Sequence, residues 1–235
     1  MIFPLPEYLG TAIALLVAIA MSVLLLRAGQ GDLRRTALLS IAGLWVWLVA
    51  AQLLSWRGFF ADPTIFAPGD LTEFIIFLAL FPLPVMVLAA LVLRVPSFKN
   101  LTLAIPLWVL VGVQVYRIGG AAYLEAGIIG TMPAYLGYVT GIMDITIGTT
   151  SIIVALGLAI GAAWARPAVI IWCIIGLLDF LNGAGFIVMA FFDIIQSTPD
   201  PAQMGRDPFL LISLFQAPLA ISLHLLVLWR VWRTA

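Results

Sequence analysis

Four ionisable side chains interrupt long apolar stretches of the sequence: Arg117, Asp144, Asp179 and His224. At the centre of a membrane helix such a side chain costs about 2.5–3.5 kcal/mol on insertion scales, so it usually faces the interior of a helix bundle. Two carboxylates near one guanidinium leave one negative charge uncompensated, which a proton, an ion or the imidazole can balance. This combination predicts a buried site that binds or conducts a proton, an ion or a small polar solute.

The position of each residue within its apolar stretch suggests a role. Counted at about 1.5 Å per residue from the predicted outer ends, Arg117, Asp144, Asp179 and His224 lie roughly 8, 16, 20 and 24 Å deep. We therefore expect Arg117 near the outer surface, as gate and counter-ion. The two aspartates would titrate or coordinate near the middle of the membrane, and His224 would accept protons toward the inside.

Neighbouring polar and small residues follow the same helix faces. Three polar residues complete the candidate site: Gln114, Asn182 and Gln216. Glycines that share a helix face with each aspartate, at successive spacings of three and four residues, let a neighbouring helix approach closely. The predicted helix-packing glycines are Gly137, Gly141 and Gly148 beside Asp144, and Gly176 and Gly183 beside Asp179.

The same residues also allow structural interpretations. An arginine–aspartate pair inside a bundle often only neutralises two charges and fixes the helix register, and a single histidine is often a hydrogen-bonded packing residue. A second functional class is a non-catalytic subunit or assembly factor of a larger membrane complex. The absence of a nucleophile motif in the sequence and the glycine faces suited to close packing favour that alternative.

The sequence predicts no metal site and no cofactor. Its single cysteine and single histidine exclude an internal disulfide and any site with several cysteine or histidine ligands. A weaker alternative is one haem or chlorin held by His224. The candidate second ligands are Met86, Met143 and Met189. Another weak alternative is an intramembrane enzyme with a divalent metal ion. Its candidate ligands are Asp144, Asp179 and Asn182.

The composition explains why the elements that carry these residues must be membrane helices. Of 235 residues, 64% are hydrophobic and 9% are charged, and eleven basic residues balance eleven acidic ones. Soluble domains carry about 25% charged residues, so the composition excludes a disordered chain, a nucleic-acid binder and a water-soluble enzyme. The only lysine, Lys99, lies between two apolar runs, which excludes a retinal Schiff base in the middle of a span.

Seven segments contain the roughly 20 apolar residues that cross a bilayer. They are residues 8–26, 36–56, 71–93, 101–122, 133–163, 167–192 and 208–229. The sequence thus predicts an all-α membrane protein, a single transmembrane domain over residues 1–235 with no soluble domain. Asp70 and Glu73 predict a capping box at the start of the third helix.

The distribution of basic residues predicts the orientation. With the amino terminus outside and the carboxyl terminus inside, the inner side receives most of the basic residues. They are Arg27, Arg34, Arg35, Arg94, Lys99, Arg166, Arg230 and Arg233. We expect a multi-pass protein of the cytoplasmic (inner) membrane. Its expected partners are the lipid bilayer and a second membrane protein or a further copy of the chain, and not nucleic acid.

The second half of the sequence resembles a family of uncharacterised bacterial multi-pass membrane proteins. The resemblance rests on the run from Tyr116 through Arg117 to Gly120, on Pro133, on the run Gly141–Gly148, on Trp172 with Gly176 and Asp179, and on Pro218 with His224. It covers about residues 101–235, and the first three spans contribute nothing to it. It implies a membrane fold of six or seven helices and no particular chemistry.

Overall fold

The computed structural model describes residues 9–58, 71–199 and 204–233, and every regular element in these ranges is helical. The α-helices are α1 (Leu9–Ala28), α2 (Arg34–Trp56), α3 (Leu71–Leu80), α4 (Leu83–Arg94), α5 (Pro96–Ala104), α6 (Leu107–Gly112), α7 (Ala121–Ile128), α8 (Ala134–Ala159), α9 (Ala165–Phe191), α10 (Phe209–Leu211) and α11 (Ala217–Arg233). The segments Gly31–Leu33 and Val113–Gly120 are 3₁₀ helices, and Ile212–Gln216 forms a π-helical turn.

Seven of these helical stretches are long and apolar enough to cross a membrane, as the sequence predicts. They are Leu9–Ala28, Gly31–Trp56, Phe74–Arg94, Leu107–Ile128, Ala134–Ala159, Ala165–Phe191 and Phe209–Arg233, and we call them the first to the seventh span. The predicted capping box depends on Asp70 and on the side chain of Glu73, which lie outside the described part of the structure.

The fourth span begins later than residue 101, where the sequence predicted it. Pro106 cannot donate a backbone hydrogen bond and keeps the residue before it extended. Ile105 accordingly adopts φ −78° and ψ 127°, which ends α5, and a new helix starts at Leu107. The guanidinium of Arg230 donates to the carbonyls of Thr102 at 3.3 Å, Leu103 at 3.5 Å and Ile105, which this break leaves without helical partners.

The seventh span is the centre of the bundle and the third lies at its edge. In the most apolar part of each span, 89% of the seventh is buried inside the protein but only 11% of the third. Side chains of the seventh span therefore contact mainly the other helices of the protein. Its buried polar side chains include His224 and Gln216.

A π-helical turn and a proline open the backbone of the seventh span. Pro218 has no N–H, so the carbonyl of Leu214, four residues earlier, loses its helical partner. The indole N–H of Trp47 donates to this carbonyl at 2.7 Å, and the hydroxyl of Tyr116 donates to the carbonyl of Gln216 at 2.8 Å. Side chains from the second and fourth spans thus bind the seventh span where its own ladder is interrupted.

Candidate functional site

Arg117 is the hub of a buried polar cluster. Its side chain reaches three other spans: Nε lies 2.6 Å from Oδ1 of Asp144, Nη2 lies 2.5 Å from Oδ2 of Asp179, and Nη1 lies 3.0 Å from Nε2 of His224. All four residues are buried, with Arg117 only 3% exposed. The four ionisable residues that the sequence singles out on four consecutive spans therefore form one network.

The network contradicts the predicted gradient of depths. Arg117 was expected near the outer surface and His224 near the inside, yet the two side chains are in direct contact. The cause is the break at Pro106, which shifts the fourth span to Leu107–Ile128 and so brings Arg117 to the middle of the span. Arg117 consequently lies at the middle of the fourth span, between two aspartates, and not at the expected outer end.

The 3₁₀ geometry of Val113–Gly120 gives Arg117 its place. Residues three apart stack on one face of a 3₁₀ helix. Gln114, Arg117 and Gly120 follow this spacing, and all three are buried. The buried face of this 3₁₀ helix thus presents Arg117 and, one turn later, Gly120.

Gly120 and three further glycines let the fourth and fifth spans approach closely. A Cβ atom at Gly120 would overlap Cβ of Asp144 and come within 2.7 Å of its Oδ2. Along the same seam, added Cβ atoms would meet backbone atoms of Gly127, Leu124 and Ile118 at 2.5–2.8 Å. These contacts belong to Gly137, Gly141 and Gly148 respectively. The glycine face of the fifth span therefore packs within the chain, and it seats Asp144 beside Arg117.

The shape and charge of the guanidinium account for its position at the hub. A guanidinium presents five N–H donors in one plane, so it can serve three partners in different directions at once. Its central carbon also lies 4.4 Å from the centroid of the Phe180 ring, a cation–π contact. Phe180 directly follows Asp179 on the sixth span, and no feature of the sequence singles it out.

His224 is enclosed by the sixth span and by aromatic packing. Its Nε2 accepts from Arg117, which assigns its proton to Nδ1. Its ring lies 4.6 Å from that of Trp172, and the indole N–H of Trp172 donates to the carbonyl of Ile147 at 3.2 Å. A Cβ atom at Gly176 would overlap the imidazole. Gly176 therefore makes the room that His224 occupies.

The other predicted site residues do not join the network. Gln114 donates to the carbonyl of Ala220 at 3.4 Å, and Gln216 donates to the carbonyl of Gly10 at 3.0 Å. Asn182 accepts a hydrogen bond of 2.8 Å from the hydroxyl of Tyr135. Gly183 makes only an ordinary contact: a Cβ atom there would lie 3.6 Å from the hydroxyl oxygen of Thr140. The two glutamines and Asn182 tie neighbouring segments together around the site.

A cavity of about 70 Å³ lies against the two aspartates. Residues of the third to the seventh spans and Met204 line it, and its lining residues from the fourth and sixth spans lie in the second halves of those spans. Its polar lining residues are Tyr123, Thr140, Asp144, Asp179 and Ser213, and the rest of the lining is apolar or glycine. Because one water molecule needs roughly 10–15 Å³ of such space, the cavity has room for several.

The charges and hydrogen bonds of the site are incomplete. With Arg117 positive and both aspartates ionised, the formal sum is 1 − 2 = −1. Oδ1 of Asp179, Nδ1 of His224 and Oγ1 of Thr140 are buried, and none has a hydrogen-bond partner among the described residues. Unpaired buried polar atoms are costly, which is one reason why they occur at functional sites. Two of these three residues line the cavity.

The described residues offer little support for a metal or haem site. Within the part of the chain that the structure covers, no three histidine, cysteine, aspartate or glutamate side chains are placed so that they could hold a metal ion together. Asn182 faces Tyr135, so it does not complete a ligand set with the two aspartates. A metal or haem iron on Nε2 of His224 would have to displace the guanidinium.

Comparison with known proteins places the chain in a family. A family described as Domain of unknown function (DUF8737) matches residues 74–232. The chain belongs to this family. No curated protein and no solved structure matches the chain. The DUF8737 region contains all four residues of the network and also the third span, which the resemblance seen in the sequence had left out.

Proposed function

We propose that this DUF8737 chain is a multi-pass membrane protein that binds a cation, a proton included, at the carboxylates around Arg117 and passes it across the membrane. Asp144 and Asp179 are the binding groups, Arg117 is their counter-ion, and His224 is the next proton acceptor. One observation carries the proposal. Two carboxyl groups share one buried guanidinium, and a carboxyl oxygen without a hydrogen-bond partner among the described residues belongs to a side chain that borders a cavity.

The proposed route starts in the cavity and ends beyond the guanidinium. A cation that enters from the cavity reaches Asp179 and Asp144 first, because both line it. His224 touches Arg117 from another direction and does not line this cavity. Its Nε2 can take a proton only after the guanidinium has turned away, since that nitrogen now accepts from Nη1. The proposed transfer to His224 therefore requires the side chain of Arg117 to move.

The experiment is a flux assay in proteoliposomes that contain a pH-sensitive dye. Wild-type protein should collapse an imposed pH gradient faster than empty liposomes do. Asp179→Asn and Asp144→Asn each remove the surplus negative charge while keeping the shape of the side chain, so each should reduce the flux at least about tenfold. Equal flux in wild type and both variants would refute the proposal.

A matched control separates the site from the general loss of a carboxylate. Asp32 is an exposed residue in the 3₁₀ helix Gly31–Leu33, at the start of the second span. Asp32→Asn changes the net charge by the same amount and should leave the flux unchanged. Normal elution of every variant from a sizing column shows that a loss of flux is not a loss of fold.

The orientation, the inner-membrane location and the expected partners belong to the same proposal. With the amino terminus outside, the cavity faces the outer side, and labelling of single-cysteine variants in intact cells tests this. The alternative, a subunit or assembly factor, draws no support from the glycine faces, because Gly137, Gly141, Gly148 and Gly176 contact other spans of the chain itself. A stoichiometric partner in a native pull-down would support that alternative.

A further inference from the structure

We propose that the cavity beside the aspartates binds an organic ammonium ion of a few carbon atoms. The inference rests on the proposed function and names the class of ligand that the same site takes. The ion would lie between the carboxylate of Asp179 and a set of aromatic rings. Three features of the cavity support this ligand class: its walls, its few oxygen atoms and its size.

Aromatic side chains from three spans form much of the cavity wall. They are Phe77 and Phe81 of the third span, Tyr123 of the fourth and Phe180 of the sixth. Aromatic faces attract cations, and rings arranged around a space are the usual way in which proteins bind alkylammonium groups. The site already contains one such contact, between Arg117 and Phe180. The wall therefore suits a cation that carries apolar substituents.

The oxygen atoms of the cavity suit an organic cation better than a bare metal ion. Calcium takes six to eight oxygen ligands, and magnesium needs an octahedral set. Here Oδ1 of Asp144 and Oδ2 of Asp179 are already bound to Arg117. Among the fully buried oxygens of the described lining residues, Oδ1 of Asp179 and Oγ1 of Thr140 have no hydrogen-bond partner. An alkylammonium ion needs fewer polar ligands, because its charge is spread and its surface is apolar.

The size of the cavity favours an organic cation over a proton as the ligand. A proton needs only the carboxylate, whereas the cavity of about 70 Å³ leaves space next to that carboxylate. A mostly apolar space of this size holds water poorly unless polar partners hold it in place. A small organic cation fills it, contacts the rings and supplies the missing positive charge. One ligand thus satisfies the shape, the surface and the charge of the site.

The test is calorimetric titration of the purified full-length chain in detergent with tetramethylammonium chloride. We expect saturable binding, no comparable binding of sodium chloride, and none of tert-butyl alcohol, a neutral molecule of similar shape. Phe81→Leu removes one ring from a half-buried position and should weaken binding about three- to thirtyfold. Asp179→Asn should weaken it about tenfold or more.

Phe98→Leu is the matched control, because Phe98 is a buried aromatic residue that does not line the cavity. It should bind tetramethylammonium as wild type does. Equal binding of the cation and the alcohol, or equal weakening by Phe81→Leu and Phe98→Leu, would overturn the inference. So would an absence of binding in a protein that still shows Asp179-dependent proton flux, and the proposed function would then survive. Absence of both binding and flux would overturn the two together.

Discussion

Removing both carboxylates around Arg117 should destabilise the protein far more than removing either one. The double variant Asp144→Asn, Asp179→Asn leaves a guanidinium that is 3% exposed with neither of its two anions. Each single variant keeps one ion pair and also removes the surplus negative charge. The two perturbations are therefore expected to be strongly non-additive.

The size of the effect follows from the geometry of the two ion pairs. Unit charges 4 Å apart interact by about 4 kcal/mol at an effective dielectric constant of 20, and both pairs here are closer than that. Leaving a buried charge without any partner costs about 3–5 kcal/mol. We expect each single variant to lose about 1–2 kcal/mol, the value of one hydrogen bond, and the double variant at least about 5 kcal/mol.

The assay is unfolding by sodium dodecyl sulfate in mixed micelles, followed by circular dichroism. Exposed Asp32→Asn is the control and should change the free energy of unfolding by less than about 0.5 kcal/mol. Adding Arg117→Met to the double variant removes the stranded cation and should recover about 2 kcal/mol or more. A double variant whose loss equals the sum of the single losses, with no recovery on adding Arg117→Met, would refute the charge-coupling argument.

Three further predictions use the same unfolding assay. Gly120→Ala drives a methyl group into the fifth span and should cost about 1–3 kcal/mol, whereas Gly43→Ala, which meets open space, should be neutral or stabilising. Trp47→Phe leaves a carbonyl of the seventh span without its donor and should cost about 1–3 kcal/mol, while exposed Trp56→Phe should cost little. Arg230→Met frees the carbonyls at the end of α5 and should cost about 1.5–3 kcal/mol. Equal losses within either pair, or no loss for Arg230→Met, would contradict the hydrogen bonds and contacts described above.

The sequence identifies the members of the network because ionisable residues stand out in apolar helices. Arg117, Asp144, Asp179 and His224 have no alternative role in a lipid-facing position, so their burial together follows from the cost of exposing them to lipid. The glycine spacing around Asp144 likewise predicts a close seam. What the sequence leaves open is which helices are neighbours, because spacing along one helix does not encode the contacts between helices.

Two local features explain the errors in the sequence-based picture. A hydropathy window averages over Pro106, so the fourth span was placed too early and Arg117 too near the surface. The 3₁₀ segment that aligns Gln114 with Arg117 has no clear sequence signal either. Phe180 and Thr140 were missed because aromatic and hydroxyl residues are common in membrane helices. Only the fold shows that both border the cavity.

The most direct measurement of the central claim is a solid-state NMR distance experiment on the full-length protein in lipid bilayers. With nitrogen-labelled arginine and carboxyl-labelled aspartate, the guanidinium of Arg117 should couple to two carboxyl carbons. These two carbons belong to Asp144 and Asp179, whose carboxyl oxygens lie 2.6 Å and 2.5 Å from guanidinium nitrogens of Arg117. Each Asp→Asn variant should remove one coupling and keep the other. A guanidinium coupled to a single carboxylate, or to none, would contradict the shared site on which the proposed function depends.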